Sequence, residues 1–235
     1  MIALHHVYKR YHNQHGSDWV LRDIDLTIPK GTSVGLVGSN GAGKSTLLRL
    51  IADMDSPDRG SIERHCRISW PIGLSGGFQG SMTGRQNVKF VARIHGDAGE
   101  MQRIIDFVES FAEIGQAFDE PVKTYSSGMR SRLGFGLSLA FDFDVYLSDE
   151  ATAVGDAAFK AKAKQAFRER IGKASLIMVS HDIGILRELC QAGIWLHEGT
   201  ATWFDDIHDA IAAYHASVGL DRSRPPISQP AIRPN

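Results

Sequence analysis

One glycine-rich segment has the residue types and spacing of a phosphate-binding loop. It follows a short apolar stretch, precedes an amphipathic run, and consists of Gly38, Ser39, Asn40, Gly41, Ala42, Gly43, Lys44, Ser45 and Thr46. Glycines let successive backbone N–H groups turn toward an anion, and the N-terminus of the following helix adds its dipole. We expect Lys44 to reach the β- and γ-phosphates, Ser45 to ligate Mg²⁺, and Thr46 to lie on the phosphate side. The segment therefore predicts binding of a nucleoside triphosphate with Mg²⁺.

Two adjacent carboxylates, Asp149 and Glu150, follow the apolar stretch 145–148. In an α/β sheet, side chains at the carboxyl end of a strand face the crevice in which a phosphate loop lies. We expect Asp149 to hold Mg²⁺ through water and Glu150 to polarise the attacking water as a general base. The pair predicts that the bound nucleotide is hydrolysed.

His181 stands directly after another apolar stretch, 176–179. At the end of a strand next to the phosphate loop it could contact the γ-phosphate and sense hydrolysis. That position distinguishes it from the other histidines of a chain that contains ten. His181 is therefore predicted to be a catalytic residue.

A second anion-binding helix start is predicted at Ser126, Ser127 and Gly128, before a helix that begins near Met129. A helix N-terminus favours an anion through its unpaired N–H groups and its dipole. Because the glycine loop already serves the chain's own nucleotide, we expect this second helix start to bind the γ-phosphate held by another copy. The arrangement predicts a homodimer with shared nucleotide sites.

The elements that must position these residues alternate between strands and helices. Two helical stretches between 86 and about 114 are separated by a break at 96–99, and the later elements include a helix at 157–171 and a closing hairpin of strands 194–196 and 200–204. Such alternation around a phosphate loop predicts an α/β fold with a mostly parallel sheet. Two N-terminal strands, 2–8 and 20–28, should add an antiparallel layer, and 83–140 reads as a helical insert within a domain spanning 1–220. The Pro- and Arg-rich segment 221–235 is predicted to be an extended or mobile tail.

Composition restricts the class of protein. The chain has 235 residues, is 43% hydrophobic and 23% charged, and carries a formal charge of −1, which gives no electrostatic basis for nucleic-acid binding. Cys66 and Cys190 are expected to be reduced, inert thiols in a cytosolic protein. We find no secretory signal and no run approaching the roughly 20 apolar residues that span a bilayer.

The motifs, taken in order, resemble the ATP-binding cassette family over residues 1 to about 220. The matching features are the Walker A loop at 38–46, the signature at 125–129, the Walker B strand at 145–150, the D-loop acid Asp156, the switch histidine His181 and the adenine-stacking aromatic Tyr11. The resemblance implies a two-lobed cassette, an ATP-bound dimer with two shared sites, and coupling to a transport protein.

Departures from the general cassette pattern indicate a subfamily. The signature reads Tyr-Ser-Ser-Gly-Met, and Gln79 stands in an unusual glycine-rich setting where the family places a magnesium-side glutamine. The stretch 68–90 resembles the ATPase subunit of capsular polysaccharide exporters. This resemblance implies a peripheral ATPase on the cytoplasmic face of the inner membrane, bound to permease subunits and further envelope export components.

Three alternative classes explain the sequence less completely. O-antigen or teichoic-acid exporters are close relatives, some with an added C-terminal glycan-binding domain for which 221–235 is too short. A soluble cassette ATPase acting on nucleic acid or ribosomes would usually have two cassettes or a coiled-coil insert. A kinase or GTPase with a phosphate loop leaves the signature and His181 unexplained.

Overall fold

Two β-sheets lie face to face around a shared apolar core in the computed structural model, which describes residues 1–11, 18–72, 77–96, 99–149 and 157–219. The strands in chain order are β1 (Ile2–Arg10), β2 (Trp19–Ile28), β3 (Val34–Val37), β4 (Arg59–Arg64), β5 (Ile68–Ile72), β6 (Val145–Asp149), β7 (Ser175–Val179), β8 (Ala192–His197) and β9 (Thr200–Phe204). The helices are α1 (Lys44–Ile51), α2 (Gly84–His95), α3 (Met101–Ala112), α4 (Ser127–Leu139), α5 (Ala157–Ile171), α6 (Ile183–Leu189) and α7 (Ile207–Ser217).

The smaller sheet is antiparallel and has the order β2-β1-β4. Its first two strands confirm the predicted N-terminal layer. β4 was missed by the sequence analysis, because it is a polar edge strand in which Ile62 is the one large aliphatic residue. Polar edge strands carry little of the alternating pattern that identifies half-buried strands.

The larger sheet has the order β5-β6-β7-β3-β8-β9. Its first five strands are parallel, and β9 closes the sheet antiparallel to β8, as the predicted hairpin requires. The α/β fold with a mostly parallel sheet is therefore confirmed. β5 was also missed, because Pro71 weakens its strand signal; a proline is tolerated at an edge, where its missing N–H is not needed.

Helix α1 lies between the two sheets. Its residues Leu47, Leu48, Leu50 and Ile51 are fully buried and share one core with side chains from both sheets. Four apolar residues at this spacing drive the segment after the phosphate loop to form a helix with little exposed surface. The core thus fixes the helix that carries the loop.

Helix α3 packs against both α2 and α4 in the predicted helical insert. A capping box formed by Thr83 and Gln86 starts α2, and α2 ends before the Gly96–Gly99 break that the sequence predicted. Arg85 joins this part of the chain by donating two hydrogen bonds to Glu109, of 2.9 and 2.7 Å, and two to Asp119, of 2.7 and 3.1 Å. The domain limits 1–220 and 83–140 stay a prediction.

Among the residues described here, no helix combines the length and the apolar character needed to cross a bilayer. The predicted tail 221–235 lies outside the described residues.

Candidate functional site

The phosphate-binding loop connects β3 to α1. Three of its glycines have positive φ angles, at 151° for Gly38, 80° for Gly41 and 101° for Gly43, which side chains with a Cβ rarely adopt. A Cβ on Gly38 would lie 2.4 Å from the Leu196 carbonyl oxygen in β8. Glycine is thus required at this position both by the backbone angle and by the close approach of a neighbouring strand.

The Lys44 ammonium lies over this loop. Its Nζ donates hydrogen bonds to the carbonyl oxygens of Gly38, at 2.8 Å, and Ser39, at 2.9 Å. Because both acceptors belong to the loop, the charge is directed to the place where a bound phosphate would sit. This orientation fits the predicted role of Lys44.

A cleft of about 550 Å³ opens above the loop. It is lined by Val20, Asn40, Gly41, Gly43, Lys44, Ser45, Thr46, Asp149, Val179 and His181. The strand order explains why Asp149 and His181 meet the loop: β7, which precedes His181, lies between β3 and β6, and all three strands point the same way. Their carboxyl ends therefore share one edge of the sheet.

Two acids with predicted roles, Glu150 and Asp156, lie outside the described residues. Their roles as general base and D-loop acid stay predictions. Asp149, the last residue of β6, is half-buried and reaches the cleft.

A further cavity of about 400 Å³ lies at the opposite edge of the large sheet. Its lining includes Ser33, Val145 and Ser175, which stand at or before the N-terminal ends of β3, β6 and β7. Ligands of open α/β sheets bind at the carboxyl ends of the strands. We therefore assign the candidate site to the cleft over the phosphate loop.

Tyr11 follows β1 and keeps 39% of its surface exposed. Its hydroxyl donates a hydrogen bond of 2.8 Å to Oδ2 of Asp55, and the Thr46 side chain, which lines the cleft, lies close enough to influence the pKa of the phenol. Partial burial and the Asp55 carboxylate raise the pKa of Tyr11, so that the phenol is neutral at physiological pH. The proximity to Thr46 places the ring next to the phosphate loop.

Ser126 and Gly128 mark the start of α4, but neither lines the cleft of its own chain. Ser126 is the N-cap residue, and its Oγ accepts a hydrogen bond of 3.2 Å from the Met129 N–H. The helix thus starts at Ser127, two residues before the predicted position. A Cβ on Gly128 would meet only the Ser126 Oγ, at 3.8 Å, so packing within the chain does not require glycine there.

Tyr125, an unusual signature residue, is an anchor that the sequence analysis did not identify. Its side chain is 3% exposed, and its hydroxyl donates to the Ala117 carbonyl. Gly84 leaves room for it, because a Cβ there would lie 2.4 Å from the Tyr125 hydroxyl. Tyr125 therefore holds the start of α4 against the start of α2.

Gln79 is exposed and does not line the cleft. Its backbone is fixed by Asn87, a nearly buried residue whose Oδ1 accepts from the Gln79 N–H at 2.8 Å and whose Nδ2 donates to the Gln79 carbonyl at 3.1 Å. The metal-binding role of Gln79 stays a prediction without geometric support. Asn87 was missed, although an amide on the apolar face of an amphipathic helix is expected to be buried and hydrogen-bonded.

Residues 21–153 match the family model described as "ABC transporter". The chain belongs to the ABC transporter family. It is 50% identical to the polysialic acid transport ATP-binding protein KpsT of Escherichia coli over 222 residues, which cover 94% of this chain and 99% of that protein. It is 44% identical to the capsule polysaccharide export ATP-binding protein CtrD of Neisseria meningitidis serogroup B over 216 residues, or 92% and 99% of the two chains.

These relatives confirm the resemblance to capsular polysaccharide exporters. Among solved structures, a dimeric, post-hydrolysis ATP-binding cassette bound to ADP and Pi has a TM-score of 0.71. The match covers 88% of this chain and 99% of that one, with 21% sequence identity. At this identity the likeness supports the fold alone, and it confirms the predicted cassette architecture.

Proposed function

We propose that this protein is the ATP-hydrolysing subunit of a transporter that exports a capsular polysaccharide across the inner membrane. The observation that carries the proposal is the match over nearly the full length of relatives named for polysialic acid transport and capsule polysaccharide export. The cleft over the phosphate loop, with Lys44, Asp149 and His181 at one edge, supplies groups suited to this chemistry.

The phosphate loop and Lys44 bind the triphosphate. The backbone N–H groups of the loop and the dipole of α1 attract the phosphates, and the Lys44 ammonium neutralises part of their charge. His181, at the mouth of the same cleft, contacts the γ-phosphate. Glu150 holds the attacking water and accepts its proton.

The residues of the cleft fit a magnesium ion. Ser45 and Asp149 both line it and offer hydroxyl and carboxylate oxygens, the hard donors that Mg²⁺ prefers. Bound Mg²⁺ would offset the charge that develops on the phosphate oxygens during hydrolysis. Gln79 would have to move to join these donors.

The site is completed by a second copy of the chain. Ser126 and Gly128 stand at an anion-seeking helix start that does not face the chain's own cleft, and Gly128 leaves an open approach. In a homodimer these residues bind the γ-phosphate held by the partner. Closing and reopening of the dimer then drives the permease subunits at the cytoplasmic face of the membrane, to which further envelope components attach.

The test combines one loop variant with export in cells. Lys44→Ala should abolish ATP binding, measured by calorimetry, and cells that carry it should retain the polysaccharide inside instead of displaying it. Lys30→Ala is the matched control, because Lys30 lies at the opposite edge of the sheet. Some cells would carry Lys44→Ala as their only copy of this protein. If that variant fails to bind ATP and the cells still display a normal amount of surface polysaccharide, the export function is refuted.

A second variant tests the mechanism. Glu150→Gln should preserve ATP affinity and accumulate an ATP-dependent dimer, detected by light scattering, because the nucleotide is bound but not hydrolysed. Hydrolysis by Glu150→Gln at the normal rate would show that another group is the general base.

A further inference from the structure

A nearly buried ion pair lies between the end of β1 and the segment that follows α1. Lys9 is 8% exposed, and its Nζ donates 2.7 Å hydrogen bonds to Oδ1 of Asp55 and to the carbonyl oxygen of Ser56. Removing an ammonium and a carboxylate from water is costly unless the geometry is good and further hydrogen bonds satisfy both groups. These short bonds meet that condition.

The Asp55 carboxylate accepts two further hydrogen bonds. Its Oδ2 accepts the 2.8 Å hydrogen bond from the Tyr11 hydroxyl, and its Oδ1 also accepts one from the Ser56 N–H at 2.8 Å. Burial alone would raise the pKa of Asp55, but the hydrogen bonds from Lys9 and Tyr11 hold it below its usual range. The group is therefore ionised at neutral pH, when it is the stronger acceptor.

The Lys9 ammonium also lies 5.1 Å from the centroid of the Tyr11 ring, within the range of a cation–π contact. The Lys9 ammonium therefore contacts the Tyr11 ring directly and also holds the Asp55 carboxylate, which accepts the hydrogen bond from the Tyr11 hydroxyl. Because Asp55 follows α1 and Tyr11 follows β1, the contacts tie the ring to the helix that carries the phosphate loop.

We propose that Lys9 and Asp55 are positioning residues, which hold the Tyr11 ring in the orientation that stacks on the adenine of ATP. This inference rests on the proposed function, because it requires ATP in the cleft with its base at Tyr11. Held in this way, the ring is ordered before the nucleotide arrives, so that binding does not have to restrict its rotamers.

The test separates the base from the phosphates by using two probes, ATP and inorganic tripolyphosphate, with the full-length protein. Tyr11→Phe removes the hydroxyl and leaves the Lys9–Asp55 pair intact, and Asp55→Asn removes the charge. Each should weaken ATP binding between about two-fold and ten-fold, the range for ordering one side chain, and leave tripolyphosphate binding unchanged. The double variant should be no weaker than the worse single one.

Asp53→Asn is the matched control, because it is the same change two residues away. Asp53 pairs with Arg64 at 3.2 Å, its side chain is 77% exposed, and asparagine tolerates its φ of 59°. It should change neither affinity. Thermal unfolding without ligand shows whether each variant is folded. If Asp55→Asn does not fold, Tyr11→Phe alone still tests whether the hydroxyl contact positions the ring.

Three outcomes would overturn the inference. An equal loss of affinity for ATP and tripolyphosphate would mean that Asp55 acts on the phosphate loop. Additive losses in the double variant would mean that Asp55 does not act through Tyr11, and unchanged ATP affinity in both single variants would mean that the ring needs no positioning. Failure of the unmodified protein to bind ATP would instead refute the proposed function itself.

Discussion

Replacing Gly38 by alanine should destabilise the protein far more than the same change at Gly41. At Gly38 the φ of 151° is a conformation almost restricted to glycine, which costs other residues roughly 1–3 kcal/mol. The new Cβ would also lie 2.4 Å from the Leu196 carbonyl oxygen, a backbone atom that cannot rotate away. Overpacking of this kind adds about 1–3 kcal/mol, which gives a total of about 4 kcal/mol.

Gly41 provides the control within the same loop. Its φ of 80° is also positive, but a Cβ there would meet no atom within 4 Å. Only the backbone cost of about 1 kcal/mol remains. For a chain of this size, these energies correspond to reductions in Tm of roughly 10 °C for Gly38→Ala and about 3 °C for Gly41→Ala.

Calorimetric melting without nucleotide measures the two shifts and avoids stabilisation by the ligand, which both substitutions could change. Equal shifts for the two variants would refute the reasoning. They would show that the approach of β8 to the loop is not what requires glycine at position 38.

Three further predictions concern other parts of the chain. Arg85→Met should lower the stability by about 1–2 kcal/mol in urea unfolding, because it removes the bidentate contact of α2 with Glu109 in α3 and the contacts with Asp119. Arg103→Met, which removes a partly exposed pair between α3 and its N-cap residue Glu100, should cost almost nothing. The pKa of His6 is raised by its hydrogen bond to Asp23 and by the charges of Asp23 and Asp25, so protonated His6 stabilises the folded protein. This contribution is complete below pH 6.5 and is lost as the pH rises through the higher folded pKa. His6→Asn should therefore lower Tm at pH 5.5 more than at pH 8.5, and an equal loss at both would refute the role of charge. Burial raises the pKa of Cys190 to about 12, which makes its thiol unreactive in the folded protein. Mass spectrometry should therefore find iodoacetamide on half-buried Cys66 in the folded protein and on Cys190 only after unfolding. Labelling of Cys190 before unfolding would contradict its burial.

The sequence predicted those elements whose signals are local. The phosphate loop was recognised because its glycines and lysine have a fixed spacing next to an apolar strand. The helix predicted at 157–171 is observed as α5 with the same limits, Ala157–Ile171. The closing pair β8 and β9 was likewise predicted, because Glu198 and Gly199 form a short turn between two apolar stretches.

Features that depend on distant residues could not be predicted in this way. β4 is a strand because β1 offers it a free edge, and its own residues give little indication of that. Asn87 caps the segment at Gln79, and Tyr125 fills the space left by Gly84, through contacts that only the folded chain creates. The contacts of Asp55 with Lys9 and Tyr11 join residues 44 or more positions apart.

The enclosure of α1 between two sheets has a mechanical consequence. Four of its side chains are fully buried in a close-packed core, so a shift of the helix by even a fraction of a turn would open cavities or force overlaps. The phosphate loop is therefore carried by one of the least compliant parts of the molecule. A force that arises at the loop should therefore pass to the strands packed against α1, and little of it should be absorbed by movement of α1 itself.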